Sequence, residues 1–154
     1  MHAIRKVVIQ NFKKFKSLTL DFECGKSVLI GNNEAGKSSI LLALDLALGG
    51  SRNRIEALGA ETLLNQDSVT TFLAGEKSLE KLPELIVDVF LEEGDNESLY
   101  GTNNAHQRQT DGVRMILAVM AEYGEAVQAI LADDQPNFPF EYYAVRFETF
   151  AGRP

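Results

Sequence analysis

Nine residues near the N-terminus constrain this chain more than any other feature. Residues 31–39 read Gly-Asn-Asn-Glu-Ala-Gly-Lys-Ser-Ser, which is a complete G-x-x-x-x-G-K-[ST] pattern. An apolar run at 28–30 precedes the pattern, and an apolar run with helical spacing at 40–48 follows it. A buried strand, a glycine-rich loop and a helix in this order predict a phosphate-binding loop, because backbone N–H groups and the positive end of the helix then surround the anion.

The residue types of this loop predict separate roles. Glycines at 31 and 36 let the backbone curl, so that successive N–H groups face inward. Lys37 would reach the β- and γ-phosphates of a nucleoside triphosphate, and the Ser38 hydroxyl would bind Mg²⁺. The predicted cofactor-binding residues are Gly31, Asn32, Asn33, Glu34, Ala35, Gly36, Lys37, Ser38 and Ser39.

Length and composition place few other limits on function. The 154 residues suit one domain with its own core, and 45% of them are hydrophobic. No apolar run approaches the roughly 18 residues that span a bilayer, and the first six residues do not resemble a signal peptide. A single cysteine, Cys24, excludes an internal disulfide and offers no metal cluster. We therefore expect a cytoplasmic protein with no membrane partner.

Charge is distributed unevenly along the chain. The net charge is -7, so no global basic field favours nucleic acid. Six basic residues nevertheless fall within the first 26 positions: Arg5, Lys6, Lys13, Lys14, Lys16 and Lys26. A solvated sheet edge is the simpler interpretation of this cluster, and a surface that faces DNA is the alternative.

Hydrophobic periodicity predicts an alternation of strands and helices. Strands are expected at 3–12 and 17–23, with a polar turn between them, followed by a strand at 27–30. The helix from about 36 to 48 is apolar nearly all round, so we expect it to be buried on more than one side before the glycines at 49 and 50 end it.

The second half of the chain is less regular. Short helices are expected at 56–64 and 68–73, the second capped by Asp67 or Ser68. The remaining predicted elements are a strand at 84–92, a mobile polar loop at 94–112, an amphipathic helix at 113–132 and a last strand at 140–150.

Two strands before the phosphate loop are unusual, because small nucleotide kinases and GTPases usually begin with the loop strand itself. Residues 8–15 (Val-Ile-Gln-Asn-Phe-Lys-Lys-Phe), residues 18–22 (Leu-Thr-Leu-Asp-Phe) and the loop with its helix resemble the N-terminal lobe of RecF/SMC-like ABC ATPase heads. Within that group the chain is most similar to the ATP-dependent endonucleases of the OLD (overcoming lysogenization defect) family. The resemblance is firm over 3–50 and looser over 60–92 and 138–152.

The resemblance implies an α/β P-loop NTPase fold, namely an ABC-ATPase-like N-terminal lobe with a mixed sheet and an antiparallel β-subdomain, over a single partial domain at 1–154. It implies ATP with Mg²⁺ as cofactors, a head-to-head homodimer around ATP, and DNA as a partner of the intact protein, which in OLD proteins carries a C-terminal Toprim nuclease. Residues 11–14 would then lie beside the adenine or ribose. Arg52 or Arg54 would lie near the nucleotide, unless both are simply exposed arginines in a polar turn.

Several parts of a hydrolytic site are missing from this sequence. Asp88 follows three apolar residues, as a Mg²⁺-binding carboxylate would, but it lies in mid-strand without an adjacent Glu. We expect it to face solvent on an edge or antiparallel strand. Residues 115–122 also end an apolar run with an acid, but their spacing is helical. The sequence has no Leu-Ser-Gly-Gly signature, no switch histidine (His2 and His106 are interpreted as bystanders) and no Toprim-like acidic cluster.

The sequence therefore predicts a lobe that binds ATP weakly, hydrolyses it poorly and contains no complete catalytic set. We expect it to be a fragment or truncated product of a longer ATPase, because the last strand runs straight into Gly152-Arg153-Pro154. Two alternatives remain open. One is a non-hydrolysing nucleotide-binding module that docks a partner, and the other is a small complete kinase or GTPase, which the leading strands and the absent N-K-x-D motif disfavour.

Overall fold

A computed structural model describes residues 4–21, 34–92, 94, 97–133 and 137–152, and for 34–37 it describes the backbone alone. Its centre is a six-stranded sheet in the order β2-β1-β3-β5-β4, with β6 also paired to β5. Every strand pairing in this sheet is antiparallel. The strands are β1 (Ile4–Phe12), β2 (Phe15–Asp21), β3 (Leu85–Leu91), β4 (Tyr100–Gly101), β5 (Thr110–Val119) and β6 (Tyr143–Thr149).

Helices lie between the strands and cover one side of the sheet. They are α1 (Glu34–Gly49), α2 (Arg52–Leu58), α3 (Ala60–Leu63), α4 (Gln66–Ala74) and α5 (Gly124–Leu131). Short 3₁₀ turns occupy Leu79–Lys81, Glu97–Leu99, Ala121–Tyr123 and Phe140–Tyr142. Among the described segments, none of the helices combines the length and apolar character needed to cross a membrane.

The N-terminal hairpin confirms the two strands predicted there. Strand β2 begins at Phe15, earlier than expected, because the turn needs only residues 13–14. Phe12 and Phe15 face each other across this turn, and Lys13 adopts a positive φ of 50°. The end of the second predicted strand and the whole strand predicted at 27–30 lie outside the described residues.

The main core lies between α1 and one face of the sheet, which we call the helix face. Alternate residues of β3 (Leu85, Val87, Val89 and Leu91) point to this face. Ala43, Leu46 and Ala47 of α1 pack into the same core. The helix is confirmed, but it is buried on only one side in the described part of the chain, because Leu41 and Leu48 on the opposite side are each 48% exposed.

The predicted helix at 113–132 is wrong over its first half. Residues up to Val119 form β5, and a helix begins only at Gly124. Met115 and Leu117 of β5 point to the helix face, while Ile116 and Ala118 are buried on the other face. A strand buried on both faces is apolar throughout, so its sequence also fits a helical period.

The predicted short helices are present, but their boundaries and cap differ. Gly59, with a φ of 83°, separates α2 from α3 where one helix was expected. The cap of α4 is Asn65, whose side-chain oxygen accepts a hydrogen bond from the Ser68 N–H at 2.9 Å. The prediction of Asp67 or Ser68 as the cap is therefore wrong. Asn65 was missed because it directly follows the apolar pair Leu63-Leu64, which is buried.

The face of the sheet opposite α1 has a smaller core of Val8, Phe90 and Phe150. The Phe90 and Phe150 rings meet edge to face, with centroids 4.9 Å apart. Phe150 also lies directly against Gly112, where a Cβ atom would overlap its ring. Glycine at 112 is therefore required by close packing.

We expect Gly112→Ala to destabilise the protein by about 1–3 kcal/mol, because the buried Phe150 ring must move to admit the methyl group. The matched control is Gly124→Ala. Gly124 is helical, and the nearest atom to its added Cβ is a Leu79 methyl carbon at 3.6 Å, so this change should be neutral or stabilising. Urea unfolding of both variants measures the difference, and equal free energies of unfolding would contradict the packing argument.

Candidate functional site

The phosphate-loop pattern ends inside helix α1. Residues 31–33 lie outside the described residues, and α1 begins at Glu34, so the last six residues of the pattern form its first turns. Ser38 is exposed and Ser39 is half-buried. The N–H groups of a first helical turn lack partners within the helix, and the helix dipole makes this end positive. The helix start has the polarity that an anion needs, while the phosphate and Mg²⁺ contacts of 31–39 remain predictions.

The hairpin residues that the resemblance assigns to the adenine are tied into the fold by hydrogen bonds. The Asn11 side chain donates to the Glu84 carbonyl at 2.8 Å and accepts from the Ser68 hydroxyl at 2.8 Å. The Asn65 side-chain amide donates to the Lys13 carbonyl, also at 2.8 Å. Asn11, with a φ of 56°, thus joins the hairpin to α4 and to the residues before β3.

The two arginines after α1 have different surroundings. The Arg54 guanidinium pairs with the Asp45 carboxylate on the outer side of α1, and its backbone N–H donates to the Ser51 side chain at 3.3 Å. Arg52 is exposed, and in the described part of the chain its side chain has no ion-pair partner. Arg54 therefore has a structural role, which joins α2 to α1, and the proximity of either arginine to a nucleotide remains a prediction.

Asp88 does not face solvent, and that expectation is wrong. It is fully buried at the middle of β3, which is an interior strand paired with β1 and β5. Its carboxylate accepts two hydrogen bonds from the Arg114 guanidinium, at 2.6 Å from Nε and 2.9 Å from Nη2. A third comes from the Ala105 backbone N–H at 2.9 Å. In the described residues the carboxylate is thus engaged by Arg114 and by the Ala105 N–H.

The Arg114 side chain is central to a row of charges on this face of the sheet. Asp88, Arg114 and Glu148 lie opposite one another on β3, β5 and β6. The hydrogen bonds to Asp88 are the main cause of a raised Arg114 pKa, which burial partly opposes and the charges of Asp88, Glu148 and Glu84 reinforce. Arg114 therefore remains a cation inside the fold. Strand register places Arg114 opposite Asp88, 26 residues away in sequence, so no local sequence pattern predicts the pair.

The polar segment at 94–112 contains regular structure. It includes the 3₁₀ turn Glu97–Leu99, strand β4 and the start of β5. We call residues 102–109 the β4–β5 loop. Asn104, which is 4% exposed, organises this loop by donating to the Arg108 carbonyl and accepting from the N–H groups of His106 and Arg108. The mobility of the segment remains a prediction.

The other acidic and histidine candidates form no catalytic group in the described residues. The helical reading of residues 115–122 is wrong, since they begin in β5 and end in an exposed 3₁₀ turn at Glu122. His106 packs against the Phe90 ring at a centroid distance of 5.7 Å. Across the described residues, no cluster of three His, Cys, Asp or Glu side chains could hold a metal. His2 and Cys24 lie outside the described residues.

We expect Asp88→Asn to destabilise the protein by about 3–5 kcal/mol, because the partly buried Arg114 cation would lose its counter-ion. The control is Glu76→Gln, which removes an ion pair with Lys81 between side chains that are 72% and 59% exposed. That change should cost less than about 1 kcal/mol. Chemical unfolding monitored by circular dichroism gives both values. A loss for Asp88→Asn as small as that of the control would refute a structural role for the buried pair.

Comparison with known proteins identifies the relatives of this arrangement. A family model for an AAA domain matches residues 6–138. The Septu protein PtuA of Bacillus mycoides is 42% identical over 57 residues, which are 33% of this chain and 8% of the relative. The chromosome partition protein Smc of Methanocaldococcus jannaschii is 41% identical over 49 residues, 32% of this chain and 4% of the relative.

A longer alignment joins the chain to a DNA replication and repair protein RecF, from Rhodococcus erythropolis. It is 26% identical over 117 residues, which are 76% of this chain and 28% of the relative. The chain thus spans less than a third of the length of each of these three relatives. Because the matched range 6–138 makes up most of the 154 residues, the chain belongs to this AAA domain family, in an ABC-ATPase-like group related to RecF and SMC proteins.

Proposed function

We propose that this chain is the ATP-binding N-terminal lobe of an ATPase that, in its intact form, couples ATP binding and hydrolysis to DNA processing. Family membership supports an ATPase-type nucleotide-binding module. The single observation that carries the finer proposal is the complete G-x-x-x-x-G-K-[ST] pattern at the start of α1. In this proposal residues 31–39 bind the phosphates, with Lys37 on the β- and γ-phosphates and Ser38 on Mg²⁺.

The packing of α1 supports a phosphate site at its start. Ala43, Leu46 and Ala47 anchor the helix on the central strands, so its first turn has a fixed position relative to the sheet. Binding by a rigid helix start costs little ordering entropy, because the donor groups are already oriented. Mg²⁺ would be held by Ser38 and the phosphates, since Asp88, the carboxylate with the most suggestive sequence context, is occupied by Arg114.

Hydrolysis requires groups beyond those in the described residues. A water-positioning base and a second Mg²⁺ carboxylate are needed for phosphoryl transfer. We infer that the intact protein supplies them, either from a longer chain or from the facing head of a homodimer. The target of the intact protein would be DNA, and an OLD-type nuclease in phage defence or repair is our preferred assignment. The relatives include a Septu protein and a replication and repair protein.

The principal alternative is a nucleotide-binding module that never hydrolyses ATP and docks a partner when ATP is bound. The Asp88 carboxylate is engaged by Arg114 instead of being available for Mg²⁺, and this favours the alternative for the chain by itself. Steady-state turnover by the full-length protein separates the two, because the ATPase proposal requires it and the module excludes it. A small complete kinase or GTPase would instead show phosphate transfer to an acceptor or a preference for GTP.

We expect Lys37→Ala to reduce ATP affinity by 10-fold or more, because a charge-assisted contact to the phosphates is lost. The measurement is titration of a fluorescent ATP analogue in Mg²⁺ buffer. Lys77→Ala is the control, since Lys77 lies after α4 and its ammonium donates to the Leu73 carbonyl at 3.5 Å. Equal affinities for wild type and Lys37→Ala would exclude the assigned phosphate site.

A further inference from the structure

A second cationic site lies at the end of the sheet where β1 begins. There a polar cavity of about 640 Å³ is bounded by the start of β1, the end of β3 and the β4–β5 loop. Its charged lining consists of Arg5, Lys6, Arg108, Asp21 and Glu92. Three cations face two carboxylates there, in a chain whose net charge is -7. A concave surface concentrates this local excess of positive charge.

The three cationic side chains of this cavity differ in the groups that they contact. The Lys6 ammonium lies 3.6 Å from the Asp21 carboxylate and 5.6 Å from the centroid of the Phe90 ring. Arg5 and Arg108 are both exposed, and within the described part of the chain neither guanidinium has a hydrogen-bond or ion-pair partner. These two differ from Arg54 and Arg114, whose guanidinium groups pair with carboxylates.

Arg108 is nevertheless held by its backbone. Asn104 binds both the N–H and the carbonyl of Arg108, at 3.2 and 2.8 Å. One residue further along, the Ala105 N–H is fixed to the buried Asp88 carboxylate. The buried ion pair of Asp88 and Arg114 therefore also positions the loop that carries Arg108. A fixed backbone with a free guanidinium is a suitable arrangement for a ligand, because less conformational freedom is lost on binding.

We propose that this cavity binds a phosphate group, with Arg5 and Arg108 as its direct ligands and Lys6 as a fixed neighbouring charge. Guanidinium groups bind phosphate oxygens through paired N–H donors, which suits two arginines that line one cavity and have no partner within the described residues. Gln109 and Thr110 add polar side chains to the lining. None of the residues that line the cavity belongs to 31–39, and the proposal does not require that those residues bind ATP. The phosphate belongs either to a nucleic-acid backbone or to a small phosphorylated molecule, and the two sources give different results below.

The test compares Arg5→Ala/Arg108→Ala with the control Lys77→Ala/Arg146→Ala, which removes the same charge from one half-buried and one exposed position outside the cavity. One arm titrates a fluorescein-labelled 20-nucleotide oligo-dT by anisotropy at several salt concentrations. The other arm titrates pyrophosphate by calorimetry in a Lys37→Ala background, so that the loop at 31–39 does not contribute. Thermal unfolding confirms that each variant is folded.

If the ligand is a nucleic-acid backbone, the cavity variant should bind oligo-dT at least 10-fold more weakly. The slope of log affinity against log salt concentration should then fall in magnitude by roughly 0.7 per lost contact. A small phosphorylated ligand predicts loss of pyrophosphate binding with oligo-dT unaffected. Either result supports the site. Unchanged binding in both arms, or equal weakening in the control variant, overturns it. If Lys37→Ala retains ATP affinity while the cavity variant loses phosphate binding, the proposed ATP site is excluded and the proposed cavity site is still supported.

Discussion

The two central strands, β3 and β5, are covered on both faces, and much of the molecule follows from this constraint. On the helix face they pack against α1, so apolar residues at every second position form the main core. On the other face the same strands carry Phe90, Ile116 and the pair Asp88–Arg114, which the β4–β5 loop covers in part. Because a buried carboxylate is costly without partners, the three hydrogen bonds to Asp88 also fix the loop above it.

In a strand that is covered on both faces, an acidic residue within an apolar run can have a structural role. A sequence motif does not distinguish this role from a catalytic one. A strand that binds Mg²⁺ is expected to have three apolar residues followed by an Asp. An interior antiparallel strand can have the same pattern when the Asp pairs with a residue on the neighbouring strand. The distinction lies in register: Arg114 is opposite Asp88 on β5, 26 residues away. In the described residues, the available carboxylates of the lobe are therefore engaged in folding or exposed at its surface, which is why we assign hydrolysis to the intact protein.

The sequence predicted the hairpin, β3 and β6 well, because each has one clean period and a clear turn at its end. Helix α1 was also predicted, although it is apolar nearly all round, because the phosphate-loop pattern precedes it and the glycines at 49 and 50 end it. It failed over 113–119, where burial on both faces removes the alternation that marks a strand. It also failed at Asp88, because strand register sets its partner Arg114, and at the cap of α4, because Asn65 directly follows a buried apolar pair. At the candidate site the pattern 31–39 could be read directly, whereas the cavity with Arg5 and Arg108 could not, since a loop remote in sequence completes it.

The arginines named for the site and the cavity also differ in their partners within the described residues. Arg54 and Arg114 bind carboxylates and join one element to another, α2 to α1 and β5 to β3. Arg5 and Arg108 have exposed side chains, yet Arg108 stands on a backbone that buried Asn104 holds in place. Because the backbone beneath Arg108 is already ordered by these contacts, less conformational freedom is lost when an external ligand binds its guanidinium. This combination separates Arg108 from Arg52, which is also exposed and has no ion-pair partner in the described residues.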